Sequence, residues 1–200
     1  MHKMLLNLPT QLETARLRVR CYQPGDGAAY YQAAQRNREH LQRFESGNPM
    51  RDLQSAEEAE IFIRELAAEW AARRCFFWGA FEKTPGDLAA SNPAAGDFVA
   101  QIYVGVVSWD TPEFEVGYIA DVAHQGKGYV TEAVQAVLRS LFADFQAHRV
   151  SIHCSEENTR SLRVAERCGF VLEGRTREDH RAPDGHLENS LHYGLLRTDL

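Results

Sequence analysis

Cysteine is scarce in this chain: four in 200 residues, at Cys21, Cys75, Cys154 and Cys168, with no two spaced as C-x-x-C. That spacing excludes a zinc ribbon and a vicinal redox pair. The apolar neighbours of these residues predict buried free thiols in a reducing compartment, and no metal site is expected. Long apolar runs are missing too. Nothing approaches the roughly 18 consecutive apolar residues of a membrane span, and the run near Met4, Leu5 and Leu6 is too short for a secretory leader. The expected location is the cytoplasm, with no membrane partner. Basic residues are outnumbered, 22 Lys and Arg against 28 Asp and Glu, a net charge of −6 at pH 7. That balance argues against nucleic acid as a partner and is compatible with a cationic one, such as an amine or a basic peptide.

What remains is an ordinary globular composition, 44% hydrophobic and 25% charged, and a length that predicts one domain over 1–200. Its most informative stretch runs from Glu115 to Ala133. An apolar strand pattern over Phe114 to Ala120 enters a turn with Gly126 and Gly128, and the turn opens a helix. Val130, Ala133, Val134, Val137, Leu138, Leu141 and Phe145 trace its apolar stripe. Glycines let a backbone approach an anion closely. The first helical N–H groups lack intrahelical partners, and the positive end of the helix dipole favours a phosphate there.

Of two familiar phosphate loops, one fails on the letters and the other fits only at Gly126 and Gly128. A P-loop requires Gly where Asp121 stands, and Ser or Thr where Gly128 follows Lys127. A dinucleotide fingerprint requires a third glycine where Thr131 stands, and a position early in the chain.

Elsewhere, Arg16 to Cys21 alternates as a half-buried strand. Asp26 is placed to cap a helix through Tyr30, Tyr31 and Ala34, and a second helical piece covers Arg38 to Phe44. Ser55-Ala56-Glu57-Glu58 is a capping box opening a helix with Phe62, Leu66 and Trp70 on one face. Strands are expected at Cys75 to Phe81 and Phe98 to Trp109, joined by a long loop from Lys83 to Asp97 that reads as mobile. A buried strand at Arg149 to Cys154 precedes a short helix from about Asn158 to Arg167, stopped by Gly169. Strands near Phe170 to Arg177 and Leu187 to Leu196 flank an Ala182-Pro183-Asp184-Gly185 turn. This order gives an α+β sandwich around a mixed sheet.

Gln125-Gly126-Lys127-Gly128-Tyr129-Val130 approximates Gln or Arg, two residues, Gly, one residue, Gly or Ala. On that string the sequence resembles the GNAT superfamily of acetyl-CoA-dependent N-acetyltransferases, with Val130 departing from the last small position. Three further strings resemble its RimJ/RimL-type branch, which acetylates ribosomal-protein N-termini at alanine or serine: Thr14 to Arg20, Asn158 to Phe170 and His192 to Arg197. The resemblance implies a three-layer α/β/α sandwich, with a core of about 14–198. Its central sheet would be mixed, mostly antiparallel, and splayed between the fourth and fifth strands. It implies acetyl-CoA as cofactor, an acceptor that is a protein N-terminus or a small amine, and a monomer or homodimer. A non-catalytic acyl-CoA-binding module stands as the reading from another class.

The cofactor residues implied are Gln125, Gly126, Lys127, Gly128, Tyr129 and Val130 for the pyrophosphate, and Asn158 for the pantetheine chain. Ile119, Ala120, Asp121 and Val122 would offer a freed backbone and an oxyanion contact. Ser161, one turn after Asn158, is the implied proton donor to the departing thiolate. The tyrosine that many relatives use seven residues after the asparagine is replaced here by Ala165. Glu115 and Glu45 are the carboxylate candidates for the general base, and His153 is a third, ahead of His180. Cys154 reads as a core thiol rather than an acyl carrier, and His124 as solvated.

Overall fold

A computed structural model describes residues 2–44, 47–83 and 96–199. The chain runs β1 (Gln11–Glu13), β2 (Leu17–Cys21), α1 (Gly27–Phe44), α2 (Ala56–Ala71), β3 (Cys75–Glu82) and β4 (Phe98–Ser108). It continues through β5 (Glu113–Ala120), α3 (Tyr129–Ala143), β6 (Arg149–Ser155), α4 (Thr159–Arg167), β7 (Val171–Arg181) and β8 (Leu187–Leu196). The eight strands form one sheet in the order β1-β2-β3-β4-β5-β6-β8-β7. Every neighbouring pair is antiparallel except β5 and β6. The expected α+β sandwich around a mixed, mostly antiparallel sheet is therefore present.

Side chains alternate between the two faces of a strand, and each face has its own core. Phe114 and Val116 point toward α3, where Val134, Val137, Leu141 and Phe145 bury against them. Ile119, Phe81 and Phe98 point the other way, under Tyr30, Leu41 and Ile63 of α1 and α2. Burying a leucine such as Leu141 contributes about 1.5–3 kcal/mol. The stripe along α3 thus fixes that helix on the sheet and, with it, the position of its first turn.

The feature that shapes the site is where β5 and β6 stop pairing. Their parallel register covers only Glu113–Arg149, Phe114–Val150 and Glu115–Ser151. Beyond Ser151, β6 pairs with β8 alone, as far as Ser155–Ser190, while β5 continues to Ala120 on β4. The sheet is open from Val116 onward, which is the expected splay.

Several elements differ from the sequence reading. The two helical pieces are one helix, because the stripe Tyr30, Ala33, Ala34, Asn37, Leu41 is continuous and Asn37 is a buried polar member of it. The Asp26 carboxylate does not cap α1. It takes Arg20 Nη1 at 2.6 Å and Nη2 at 2.9 Å, with the Gln23 N–H at 2.8 Å. The Ser55 box closes on one side: Ser55 Oγ accepts the Glu58 N–H at 3.1 Å, but the Glu58 carboxylate reaches Gln54 instead. β1 and the last four residues of β7 were not expected. β7 is an exposed, highly charged edge with two register shifts, as edge strands often are, so it has no buried face to betray it. Of the four cysteines Cys168 is buried, while Cys21, Cys75 and Cys154 are half-buried. Burial pushes the Cys168 thiol up to about 12. Apart from its two ends, the loop expected at Lys83 to Asp97 lies outside the described residues. No described helix is long and apolar enough to cross a membrane.

Candidate active site

The glycine turn is built as the sequence requires. Gly126 and Gly128 have φ of +77° and +79°, the left-handed region that side chains disfavour. Gly128 is the residue before the first turn of α3 and brings no side-chain cap. The first intrahelical bond is donated by Glu132 to the Gly128 carbonyl at 3.1 Å. The N–H groups of Tyr129, Val130 and Thr131 therefore have no partner within the helix, and they open on a cavity of about 480 Å³. That vacancy of partners fits a phosphate of a coenzyme A-like ligand.

The carboxylate nearest this turn is engaged by neighbouring donors. Glu132, in the first turn of α3, accepts from Thr14 Oγ1 at 2.6 Å, from the Arg16 N–H at 3.0 Å and from Arg16 Nε at 2.6 Å. Burial alone would raise its carboxyl, but these bonds and the Arg16 charge hold it below the usual carboxylate range. Arg16 Nη1 also donates to the Lys127 carbonyl at 2.9 Å, and its guanidinium lies 4.6 Å from the Tyr129 ring centre. Across the cavity, α4 presents Arg160, Arg163 and Arg167, one helical turn apart. Arg160 donates to Gln125 Oε1. His40 of α1 closes the same cavity, and burial, with the Arg160 and Arg43 charges, lowers its imidazole pKa. Lys127 is exposed on the turn itself.

In the gap between β5 and β6, hydrogen-bond alternation decides which backbone groups are available. The Asp121 N–H donates to the Val99 carbonyl at 2.9 Å, so Ile119 and Gly117 also bond toward β4. Tyr118 and Ala120 then direct their backbone groups into the gap, and Ala120 lines the cavity. Ile119 is buried against α1 and α2. The Val122 N–H is taken by Asn37 Oδ1 at 2.8 Å, and the Val122 side chain is exposed. Asp121 is fully buried, accepting from Arg36 at 2.9 Å, Asn37 at 3.1 Å and the Ala123 N–H at 2.9 Å.

On the opposite face of the sheet lies a second cavity of about 850 Å³. Phe62, Phe77 and Tyr103 wall it, and its charged lining is Glu65, Glu69 and Glu115, with His153 beside them. Among the described residues no Lys or Arg lines it. Glu115 is the last β5 residue paired with β6, and His153 Nδ1 stands 3.7 Å from Glu115 Oε1. Glu45 lies outside the described residues.

The two cavities meet at Tyr118, which lines both. Asn158 caps α4, its Oδ1 accepting the Ser161 N–H at 3.2 Å, and both residues line the smaller cavity. Ser161 Oγ donates to the Tyr118 hydroxyl at 3.1 Å, which itself donates to the Ser161 carbonyl at 2.9 Å. Gln125, Gly126, Gly128, Tyr129 and Val130 line the same cavity as Asn158 and Ser161. The Tyr129 hydroxyl is turned away to Glu82.

His124 is not solvated: its side chain is 14% exposed and its Nδ1 lies 3.6 Å from Asp121 Oδ1. Cys154 is half-buried on β6, and His180 sits far along β7. On the surface, Glu157, His186 and Glu188 bring ligand atoms within 4.8 Å of one another. Tyr118 and the three α4 arginines were missed from sequence. Spacing could have found the arginines, since 160, 163 and 167 share a helix face with Asn158's end of the groove. Strand parity could have found Tyr118.

Comparison with known proteins identifies the family and the fold. Residues 16–171 match the acetyltransferase (GNAT) domain. The ribosomal-protein-serine acetyltransferase of Escherichia coli (strain K12) is 32% identical over 98 residues, 46% of this chain and 55% of that protein. That match thus spans about half the relative's length. An uncharacterized N-acetyltransferase, p20 of Bacillus licheniformis, is 31% identical over 76% of this chain and 77% of its own. The solved structure of Mycobacterium smegmatis RimJ in complex with CoA-disulfide superposes with a TM-score of 0.79 at 22% identity, covering 100% of this chain and 92% of that one. The chain belongs to the GNAT acetyltransferase family, whose members draw their acetyl group from acetyl-CoA.

Proposed function

We infer that this chain, as a single catalytic domain, transfers the acetyl group of acetyl-CoA to a primary amine, the N-terminal α-amine of a protein of the ribosomal type. The observation that carries this reading is the meeting of the two cavities at Tyr118, where β5 and β6 part. One cavity has an uncapped helix start and a row of arginines, suited to phosphates. The other has carboxylates and aromatic walls, suited to a cationic amine. A donor and an acceptor seated in them would meet through the gap, so direct attack in a ternary complex needs no acyl-enzyme.

The amides of Gln125 to Val130 would hold the pyrophosphate of the cofactor, with Lys127 and the α4 arginines supplying charge. Asn158 and the gap-facing backbone of Tyr118 and Ala120 would hold its pantetheine chain. The cofactor supplies a thioester, whose thiol is a fair leaving group at a pKa of about 8.5. A gap-facing N–H on β5 is suited to the carbonyl oxygen as it gains charge, a contact of roughly 2.7–4 kcal/mol in comparable enzymes. Ser161, which lines the smaller cavity, would serve as proton donor on the thiol side. Glu115, with His153 beside it, would serve as base on the amine side, and Glu45, outside the described residues, is the other carboxylate candidate for that role. An α-amine has a pKa of about 7.7–8.0, so a modest base suffices.

The acidic lining of the larger cavity also favours a second acceptor class, a small polyamine-like amine. A thiol-release assay separates them. N-terminal peptides beginning with Ser or Ala should turn over with kcat/KM at least tenfold above free amines. Turnover of free amines alone would replace this acceptor by the second class. Saturable acetyl-CoA binding with no turnover on either panel would leave a non-catalytic binding module.

A further inference from the structure

The Tyr118 side chain, unlike its backbone, has no part in acetyl transfer as inferred above. Its ring stands in the wall between the cavities, and its hydroxyl and that of Ser161 are already in contact at 3.1 Å. A serine hydroxyl asked to surrender a proton unaided would leave an alkoxide, a poor state at neutral pH. A phenol, which as a class ionises near 10, is a far better match to general acid–base work.

We propose that Tyr118 is a catalytic residue: with Ser161 it forms a two-hydroxyl bridge that carries one proton from the acceptor cavity to the donor cavity. Acyl transfer forms one carbon–nitrogen bond and breaks one carbon–sulfur bond, and one proton must leave nitrogen while one must reach sulfur. In the bridge, Ser161 Oγ gives its proton on the sulfur side as it takes the proton of Tyr118 Oη. Tyr118 Oη is then reprotonated from the nitrogen side, by the proton that the base in the acceptor cavity removes from the amine and passes on. The count closes without a proton from solvent, and both hydroxyls end neutral. Rotating each hydroxyl about its C–O bond inverts the observed donor order, and hydroxyl hydrogens rotate freely to suit.

The bridge rests on the acetyl-transfer reading, and its test keeps the two apart. Tyr118→Phe retains the ring and should match the wild type in melting temperature and in acetyl-CoA affinity. Its kcat should fall about 10- to 100-fold, at or below the usual range for one proton-transfer group, with acceptor KM changed less than about twofold. Ser161→Ala should lose as much, and the double variant no more than either alone, because the two act as a unit. A second readout needs no turnover: the pKa of coenzyme A's thiol in its binary complex, followed by thiolate absorbance. In the wild type it should lie below the free value of about 8.5, and both variants should bring it back. A Tyr118→Phe protein with more than half the wild-type kcat, or losses that multiply in the double variant, would overturn the bridge. Equal thiol pKa values in all three proteins would overturn it even if no amine were found to react.

Discussion

Asn37 and Asp121, 84 residues apart, are joined side chain to side chain: Asn37 Nδ2 donates to Asp121 Oδ2 at 3.1 Å. The other end of the Asn37 amide takes the Val122 N–H at 2.8 Å. One buried amide therefore ties α1 to the segment that leads from β5 into the phosphate turn. Asn37→Ala would leave the part-buried Val122 N–H without its acceptor and the buried Asp121 carboxylate without one donor, a penalty of about 1–3 kcal/mol. Urea unfolding should show that loss, and acetyl-CoA affinity should fall with it, because the turn loses a tether. An unchanged unfolding midpoint would show that the turn is held by other contacts.

The same carboxylate predicts an acid limb of stability. Burial would raise the Asp121 carboxyl, but the Ala123 N–H, Arg36 and Asn37 outweigh it and the pKa lies below the ordinary aspartate value. A folded pKa below the unfolded one, near 3.9, means the stabilisation is complete well above that value. It is lost as pH falls through the folded pKa. The stability advantage of wild type over Asp121→Asn should therefore shrink as the pH is lowered from about 6 to about 3. Urea titrations at both values check this. An advantage that grows on acidification would contradict the assignment.

These tethers explain how much of the molecule was legible beforehand. Elements with a one-sided apolar pattern, such as α3 with Val134, Val137 and Leu141, could be placed because burial imposes a period. The splay followed from resemblance and agrees with the register that ends at Glu115–Ser151. Elements held by polar atoms were harder. Asn37 hid the continuity of α1, and Arg20 drew Asp26 away from a cap, since a buried ion pair leaves no periodic mark. In the candidate site, the turn and α4 showed in local strings. The Tyr118 hydroxyl meets that of Ser161, 43 residues distant in sequence, a contact that the packing of strand against helix makes and no local string shows.

The glycines of the turn can be told apart. A Cβ at Gly126 meets nothing within 4 Å, and one at Gly128 meets only Arg16 Nη2 at 3.6 Å, so neither alanine variant is crowded. Both should lose about 1–2 kcal/mol through the left-handed backbone. Gly128→Ala should in addition weaken acetyl-CoA about tenfold, because Gly128 positions the N–H groups at the start of α3 that have no partner within the helix. Calorimetric titration and thermal melts of the two variants measure the contrast. Equal cofactor affinity in Gly128→Ala and wild type would argue against a phosphate at that helix start.

The α4 arginines should act through charge. Arg163→Ala should weaken acetyl-CoA about 2- to 5-fold, the scale of an exposed ion pair. The difference from wild type should narrow as salt is raised, since exposed charges are screened over about 8–10 Å at physiological ionic strength. Binding isotherms at low and high salt test this. A defect that persists undiminished at high salt would point to lost packing instead.

The most direct test of the central claim is a crystal structure of the chain with acetyl-CoA and a Ser- or Ala-initiated peptide. The expected result places the pyrophosphate on the amides of Gln125 to Val130, the thioester between β5 and β6 beside Tyr118 and Ser161, and the peptide amine in the cavity of Glu115 and His153. Density for the cofactor away from the α3 turn, or an amine entering from the α4 side, would contradict it.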